Sequence, residues 1–424
     1  MGRLQKALQE QISQLPRLAL RPILERKLGE RSIALPKKAI DALLDHILSG
    51  DATNFTWSDG NTETPDQLDQ LDLVFDDADE KEIEDFTTRM KSVIPEVVQS
   101  TVSMSGAHLF NTMKKRWEID GAVERFEIDQ FQDRLEERWG KGLRLLRMLL
   151  TMVREIGHDA AKRYHRSKSK NLAHRRFVLV RLHVRACQVA DEIITLLENG
   201  FADGAMARWR TLHEIGVVAT LIEGGDEELA RRFIDHHVVE VKRQADDWDS
   251  KQVPLGYKPI APPERKNIEE AYADLLVRYG QSFRHDYGWA ADHLNDKKPD
   301  FKKLQEAADQ SGMNTYYKLA NFNVHAGARG MFFRLTDMGA NMPIAGRSNA
   351  GLVEPGLNTA YTLVRITGAL LGRLRNLDGV VEMNALVAIR DAIPRALHRA
   401  DKKLRKDEAE VQRNRSHKRA RGKH

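Results

Sequence analysis

Arg210 and Glu214 stand four residues apart in FADGAMARWRTLHEIGVVATLIE, residues 201–223. That spacing puts both side chains on one face of a helix. The stretch 215–222 is apolar all round, and a helix of that kind is buried on more than one side. Arg210 and Glu214 adjoin the apolar face of Ala207, Val217, Val218 and Leu221, so both are drawn toward a low-dielectric setting. Two readings follow: the pair is a structural ion pair, or it lines a cleft and meets a phosphate or another polar ligand. Arginine ahead of glutamate is the weaker order for simple helix support, which speaks against a plain surface pair. Asp191 interrupts the stripe Cys187, Ile194, Leu197 of the preceding helix and is a candidate second partner for Arg210.

A second stretch, TYYKLANFNVHAGARG, holds Tyr317, Asn321 and Phe322 on a helical run that ends at His325. A histidine there is either a cap or a group facing a ligand. Gly327 and Gly330 leave room for backbone or ligand to approach closely. Cys187 is the single cysteine; its place on an apolar stripe reads as core rather than as a reactive thiol. It also excludes an internal disulfide and every zinc site built on several thiolates, and it fits a reducing compartment.

The chain lacks GxxxxGK[ST], a GxGxxG after a strand, and GxSxG, which argues against nucleotide hydrolysis and α/β-hydrolase chemistry. His213-Glu214 opens like a zincin helix, but Val217 stands where the second histidine must ligate. Only Glu155 to His158 fits the Glu-x-x-His of a di-iron bundle, which needs two. No metal and no cofactor is therefore expected. Metal-independent RNA-cleaving helical domains of the HEPN type carry an arginine four to six residues before a histidine. Arg208 with His213, Arg231 with His236 and Arg232 with His237 match it, but 41 arginines and 15 histidines give about four matches by chance, so the pattern alone decides nothing.

Helical periodicity dominates and strand patterning is absent. Helices are expected in 3–50 (two, parted near Leu35-Pro36), 80–99, 123–139, 143–164, 172–198, 201–223, 226–248, 264–279, 301–311, 313–325, 356–374 and 380–400. The stretch 51–79, a proline-rich segment around Pro254, Pro259, Pro262 and Pro263, and the stretch 338–355 read as loops. Asn199-Gly200 is a left-handed cap followed at once by the next helix, so 172–198 and 201–223 form an antiparallel hairpin. The fold class is all-α: a multi-helix bundle around this central hairpin. A helical region over 1–140 precedes it, the core domain covers 141–400, and a basic tail covers 401–424.

Charge is segregated under a net +5. Residues 51–98 hold 14 acids against 3 bases, and 143–185 hold 12 bases against 2 acids. The tail carries ten bases and four acids and ends in RNRSHKRARGKH, read as a mobile arm. Such an arm neutralises phosphates without reading sequence, or simply keeps the chain soluble. RNA or another polyanion, met by the tail and by 143–185, and a second copy of the chain are the partners to consider. No stretch has the apolar length of a membrane span, and the amino terminus lacks a signal peptide's apolar centre. A cytoplasmic location without membrane contact is expected.

The run LLENGFADGAMARWRTLHE, then Trp289, then DFKKLQEAADQSGMNTYYKLANFNVH resembles the bacterial domain-of-unknown-function family 5677 over residues 170–335. The family pattern has an arginine four before a glutamate, a downstream tryptophan, and a tyrosine-bearing helix ending in Val-His. The resemblance implies one constellation of Arg210, Glu214, Trp289, Tyr317 and His325, with Asn321 where the pattern has a serine. It does not extend to the first 140 residues or the tail. An arginine, a carboxylate and a histidine in one pocket would suit phosphodiester cleavage or phosphate recognition.

Three functional readings stand side by side. One is an RNA- or nucleotide-directed nuclease of accessory or defence type, with Arg210, Glu214 and His325 catalytic and Asp191, Trp289, Tyr317 and Asn321 binding ligand. Another is a non-enzymatic helical module that binds a ligand or nucleic acid. The last is a structural or oligomerising protein in which the Arg-Glu pair is architecture.

Overall fold

The computed structural model describes residues 2–50, 54–57, 72–166, 172–336, 344–372 and 377–421, and every regular element among them is a helix. Contacts divide the chain into two units, Met1–Val123 and Glu124–His424.

The first unit opens with α1 (Arg3–Ser13), α2 (Leu15–Glu30) and α3 (Lys37–Ser49), one helix more than expected over 3–50. The extra break falls at Gln14, ahead of Leu15-Pro16, where proline starts a helix without losing a hydrogen bond. Leu24, Leu28, Leu43 and Leu44 form its small core. Asp79 is buried and pairs with Arg26 and Lys27 of α2, each at 2.6 Å. Of the expected acidic loop, 54–57 and 72–76 are irregular, 77–79 are helical, and the rest lies outside the described residues.

α4 (Asp77–Arg166) is one helix where three were expected. Glycine weakens a helix, yet Gly142 and Gly157 sit inside it because packing needs them small. A Cβ on Gly142 would lie 2.4 Å from Leu397 Cδ2, and one on Gly157 2.3 Å from His183 Cε1.

α5 (Ala173–Glu198) and α6 (Ala202–Gly224) form the hairpin read from the sequence. Gly200 takes φ +74° at the turn, a left-handed value that glycine adopts without strain. Arg208 Nε pairs with Glu192, a residue equally far from Gly200 on the other arm, so the helices run antiparallel. Asp226 caps α7 (Glu227–Asp235) by accepting from the Leu229 N–H at 2.8 Å. The helix expected over 226–248 is broken at His236, and α8 (His237–Leu255) follows. Pro254 lies inside α8, and Pro262 and Pro263 start α9 (Pro262–Tyr279), so the proline-rich loop shrinks to 256–261.

Then come α10 (Phe301–Ala307), α11 (Asn314–Val324), α12 (Ala328–Phe332), α13 (Val353–Leu371) and α14 (Leu377–Arg421). Residues 344–352 are irregular as expected, whereas 337–343 lie outside the described residues. The basic segment expected as a mobile arm is helical as far as Arg421.

α13 closes the hairpin on its second side. Trp209 Nε1 donates to Thr362 Oγ1 at 3.1 Å, and a Cβ on Gly216 would lie 3.1 Å from Thr362 Cγ2. Thr359, Thr362 and Thr367 bury their hydroxyls by donating to carbonyls four residues back. α11 covers a third side of α6, which is why 215–222 had to be apolar all round. No described helix is long and apolar enough to cross a membrane.

Candidate functional site

The site forms where α11 lies against α6. Gln310, just before α11, donates from Nε2 to Thr220 Oγ1 at 3.2 Å, and Tyr317 donates to Glu214 Oε1 at 2.7 Å. Seven residues forward on one strand of chain match six back on the other, so α11 runs antiparallel to α6. That register carries Tyr317 onto the Arg210–Glu214 face. The Arg210 guanidinium stands 5.0 Å from the centre of the Tyr317 ring, a cation–π distance. Its Nε lies 3.1 Å from Glu214 Oε1 as an ion pair, yet the N–H is not aimed along that line and makes no hydrogen bond.

Burial, together with the hydrogen bond to Glu214, pushes the Tyr317 phenol up to about 12. Tyr287 is also raised, by burial first and then by the charge of Glu214. Phe301 bridges them, 4.8 Å from Tyr317 and 6.2 Å from Tyr287 between ring centres. His213 closes the floor. It is fully buried, stacks on Trp209 at 5.2 Å and meets Gln305 Nε2 at 2.8 Å through Nε2. The amide donates there, which puts the imidazole proton on Nδ1, and Nδ1 has no partner. Burial, aided by the charge of Arg365, pushes His213 down to about 4.

Asn321 lies one turn beyond Tyr317 on the same face of α11, and its Oδ1 is buried without a partner. Asn323 Nδ2 is likewise buried and unpaired. The site thus holds a donor without an aligned hydrogen bond, Arg210 Nε, and an acceptor without a partner, Asn321 Oδ1, on facing helices. Buried polar atoms of a folded chain are seldom left so.

Asp191 and Trp289 pack against other partners. Asp191 is held by Arg147 and, at 2.8 Å, by Arg154 of α4, so it is not the second partner of Arg210. The reason is the direction of its helix face, which looks across α5 to α4. Trp289 is buried edge-on against Phe233 at 5.0 Å, and its carbonyl accepts from Arg232 Nε at 3.1 Å. His325 is exposed and caps α11, its N–H meeting the Asn321 carbonyl at 3.0 Å. It lies four residues beyond Asn321, about 6 Å along the helix axis. Gly330 does permit a close approach: a Cβ there would lie 2.5 Å from the Phe322 carbonyl oxygen.

The members of the arginine–histidine spacings have other partners. Arg208 goes to Glu192, Arg231 to Asp235, and buried His236 to the His285 carbonyl at 2.9 Å. Of the 143–185 bases, Arg144, Arg147, Arg154 and Arg163 are paired with acids of the chain itself. Sequence reasoning passed over Phe301, Tyr287 and Gln305, which sit in the segment 287–305, far along the chain from Arg210 and Glu214. It had weighed His213 only as a zinc ligand or a nuclease partner. Among the described residues no group of three or more His, Cys, Asp or Glu is placed to hold a metal ion.

No curated protein and no solved structure matches the chain. Residues 176–341, which contain the whole Arg210–Glu214–Tyr317 cluster, match a family of unknown function, DUF5677.

Proposed function

We propose that the Arg210–Glu214–Tyr317 cluster is a recognition site for a small polar ligand. The observation that carries this reading is a pair of buried atoms that make no hydrogen bond, Arg210 Nε and Asn321 Oδ1, on two helices that face each other. A ligand that presents an acceptor next to a donor satisfies both, as the edge of a nucleobase or a primary carboxamide does.

Binding is favoured over metal-independent cleavage of RNA by the way the groups beside Arg210 are already engaged with one another. Cleavage needs a group that exchanges a proton near neutral pH. The Tyr317 phenol is pushed up to about 12 and donates to Glu214, which also pairs with Arg210, so neither group of this pair is free to accept a substrate proton.

Calorimetric titration of the full chain with each of the four ribonucleoside monophosphates tests the proposal. A parallel incubation with total RNA in EDTA tests cleavage. Binding that is lost in Arg210→Ala and Asn321→Leu but kept in His325→Ala is the expected result. Cleavage that disappears in an equally stable His325→Ala variant would overturn it in favour of the nuclease.

A further inference from the structure

A cavity of about 150 Å³ lies well away from that cluster in sequence, lined by Arg134, Glu137, Arg138, Asn349 and Lys403. Arg134, Glu137 and Arg138 occupy one face of α4 by their spacing of three and four, and Lys403 enters from α14. Arg138 Nη1 pairs with Asp407 Oδ2 at 2.8 Å, one turn past Lys403, and this fixes α14 beside α4. The Asn349 wall is also held in place. Its carbonyl accepts from Trp139 Nε1 at 3.0 Å, and the neighbouring Ser348 N–H donates to the Gly200 carbonyl at 2.9 Å. The Arg138 and Asn349 sides are therefore set before any ligand arrives, which lowers part of the entropic cost of binding.

Two features of the lining define a ligand. Its charge is cationic: Asp407 offsets Arg138, while Arg134 and Lys403 form no ion pair with another described residue. Arginine and lysine side by side suit phosphate oxygens. Against this, Asn349 Oδ1 is buried without a partner, and Glu137 adds a carboxylate. Both accept hydrogen bonds and neither donates, so a bare anion satisfies the cations and leaves Asn349 unpaired.

We propose that this cavity binds a phosphate that brings its own O–H donor. The phosphate oxygens meet Arg134, Arg138 and Lys403, and the hydroxyl meets Asn349 Oδ1 and Glu137. Monohydrogen phosphate supplies both functions in one group; a sugar phosphate supplies them from two.

The test is calorimetric titration of the full chain at neutral pH with inorganic phosphate, ribose 5-phosphate and sulfate. Sulfate has the shape and charge of phosphate but no proton to donate. A site built around an acceptor discriminates against it, and binding about tenfold or more weaker than the better phosphate ligand is expected. Tighter binding of ribose 5-phosphate identifies a hydroxylated ester as the ligand, and the reverse order identifies free phosphate. Arg134→Glu changes an exposed side chain, so it abolishes binding with an unchanged melting temperature. Glu214→Gln leaves the affinity as it was, which separates this cavity from the Arg210 cluster. Sulfate binding as tightly as phosphate, no binding of either phosphate, or binding that survives Arg134→Glu would each overturn the proposal.

Discussion

Tyr317 donates its phenolic proton to Oε1 of Glu214 across 2.7 Å, tying α11 to α6 at the level of Arg210. Tyr317→Phe keeps the ring under Arg210 and removes only that bond. Glu214 is 37% exposed and is partly rehydrated in the variant, so a loss of about 1 kcal/mol is expected from a bond to a charged group. Urea unfolding of the two proteins measures it. An unchanged midpoint would mean that the hydroxyl does not hold the helices together.

The same phenol makes stability fall at high pH. Its value is raised from 10.0 to about 12 in the folded chain, so the unfolded chain loses its proton first as pH rises. The contribution is full below pH 10 and is lost on the way to pH 12. Wild type should lose stability between pH 9 and pH 11 more steeply than Tyr317→Phe does, read from urea midpoints at each pH.

Acid acts through two other groups. Burial pushes His183 and His213 from 6.5 to about 4. Both are neutral when folded, and the unfolded chain takes up protons first as pH falls. Stability is complete above pH 6.5 and is lost toward pH 4, by up to about 3 kcal/mol for each histidine. His183→Gln should show a shallower loss than wild type between pH 7 and pH 5.

Two glycines give a paired test of packing. A Cβ on Gly288 would lie 2.3 Å from the Phe283 carbonyl oxygen, and one on Gly312 would meet nothing within 4 Å. Gly288→Ala must move backbone in the turn that Arg232 grips, a cost of about 2 kcal/mol or more. Gly312→Ala should be close to neutral. Equal melting temperatures for the two would contradict this account of the 281–296 segment.

Cys187 is buried beside His183, and burial pushes its thiol up to about 11. The thiolate is the reactive form. A thiol reagent at neutral pH should leave the native chain unlabelled for hours and label it fully in urea; fast labelling of the native chain would show that the helix opens there.

What the sequence alone determined rests on local rules. Apolar spacing fixed the helices, and Asn199-Gly200 fixed the hairpin, because a left-handed turn is written into a glycine. Arg210 and Glu214 were found because a helix sets the relation of residues four apart. The boundary expected between 139 and 143 failed where packing overrode punctuation: Gly142 stays inside α4 because Leu397 needs its space. Only the tertiary structure decided which side chains meet. The antiparallel register of α11 on α6 brings Tyr317 to Glu214 across 103 positions of chain. The facing of α5 gives Asp191 to Arg147 and Arg154. Such pairings are set by helix packing between distant segments, and no spacing along the chain encodes them.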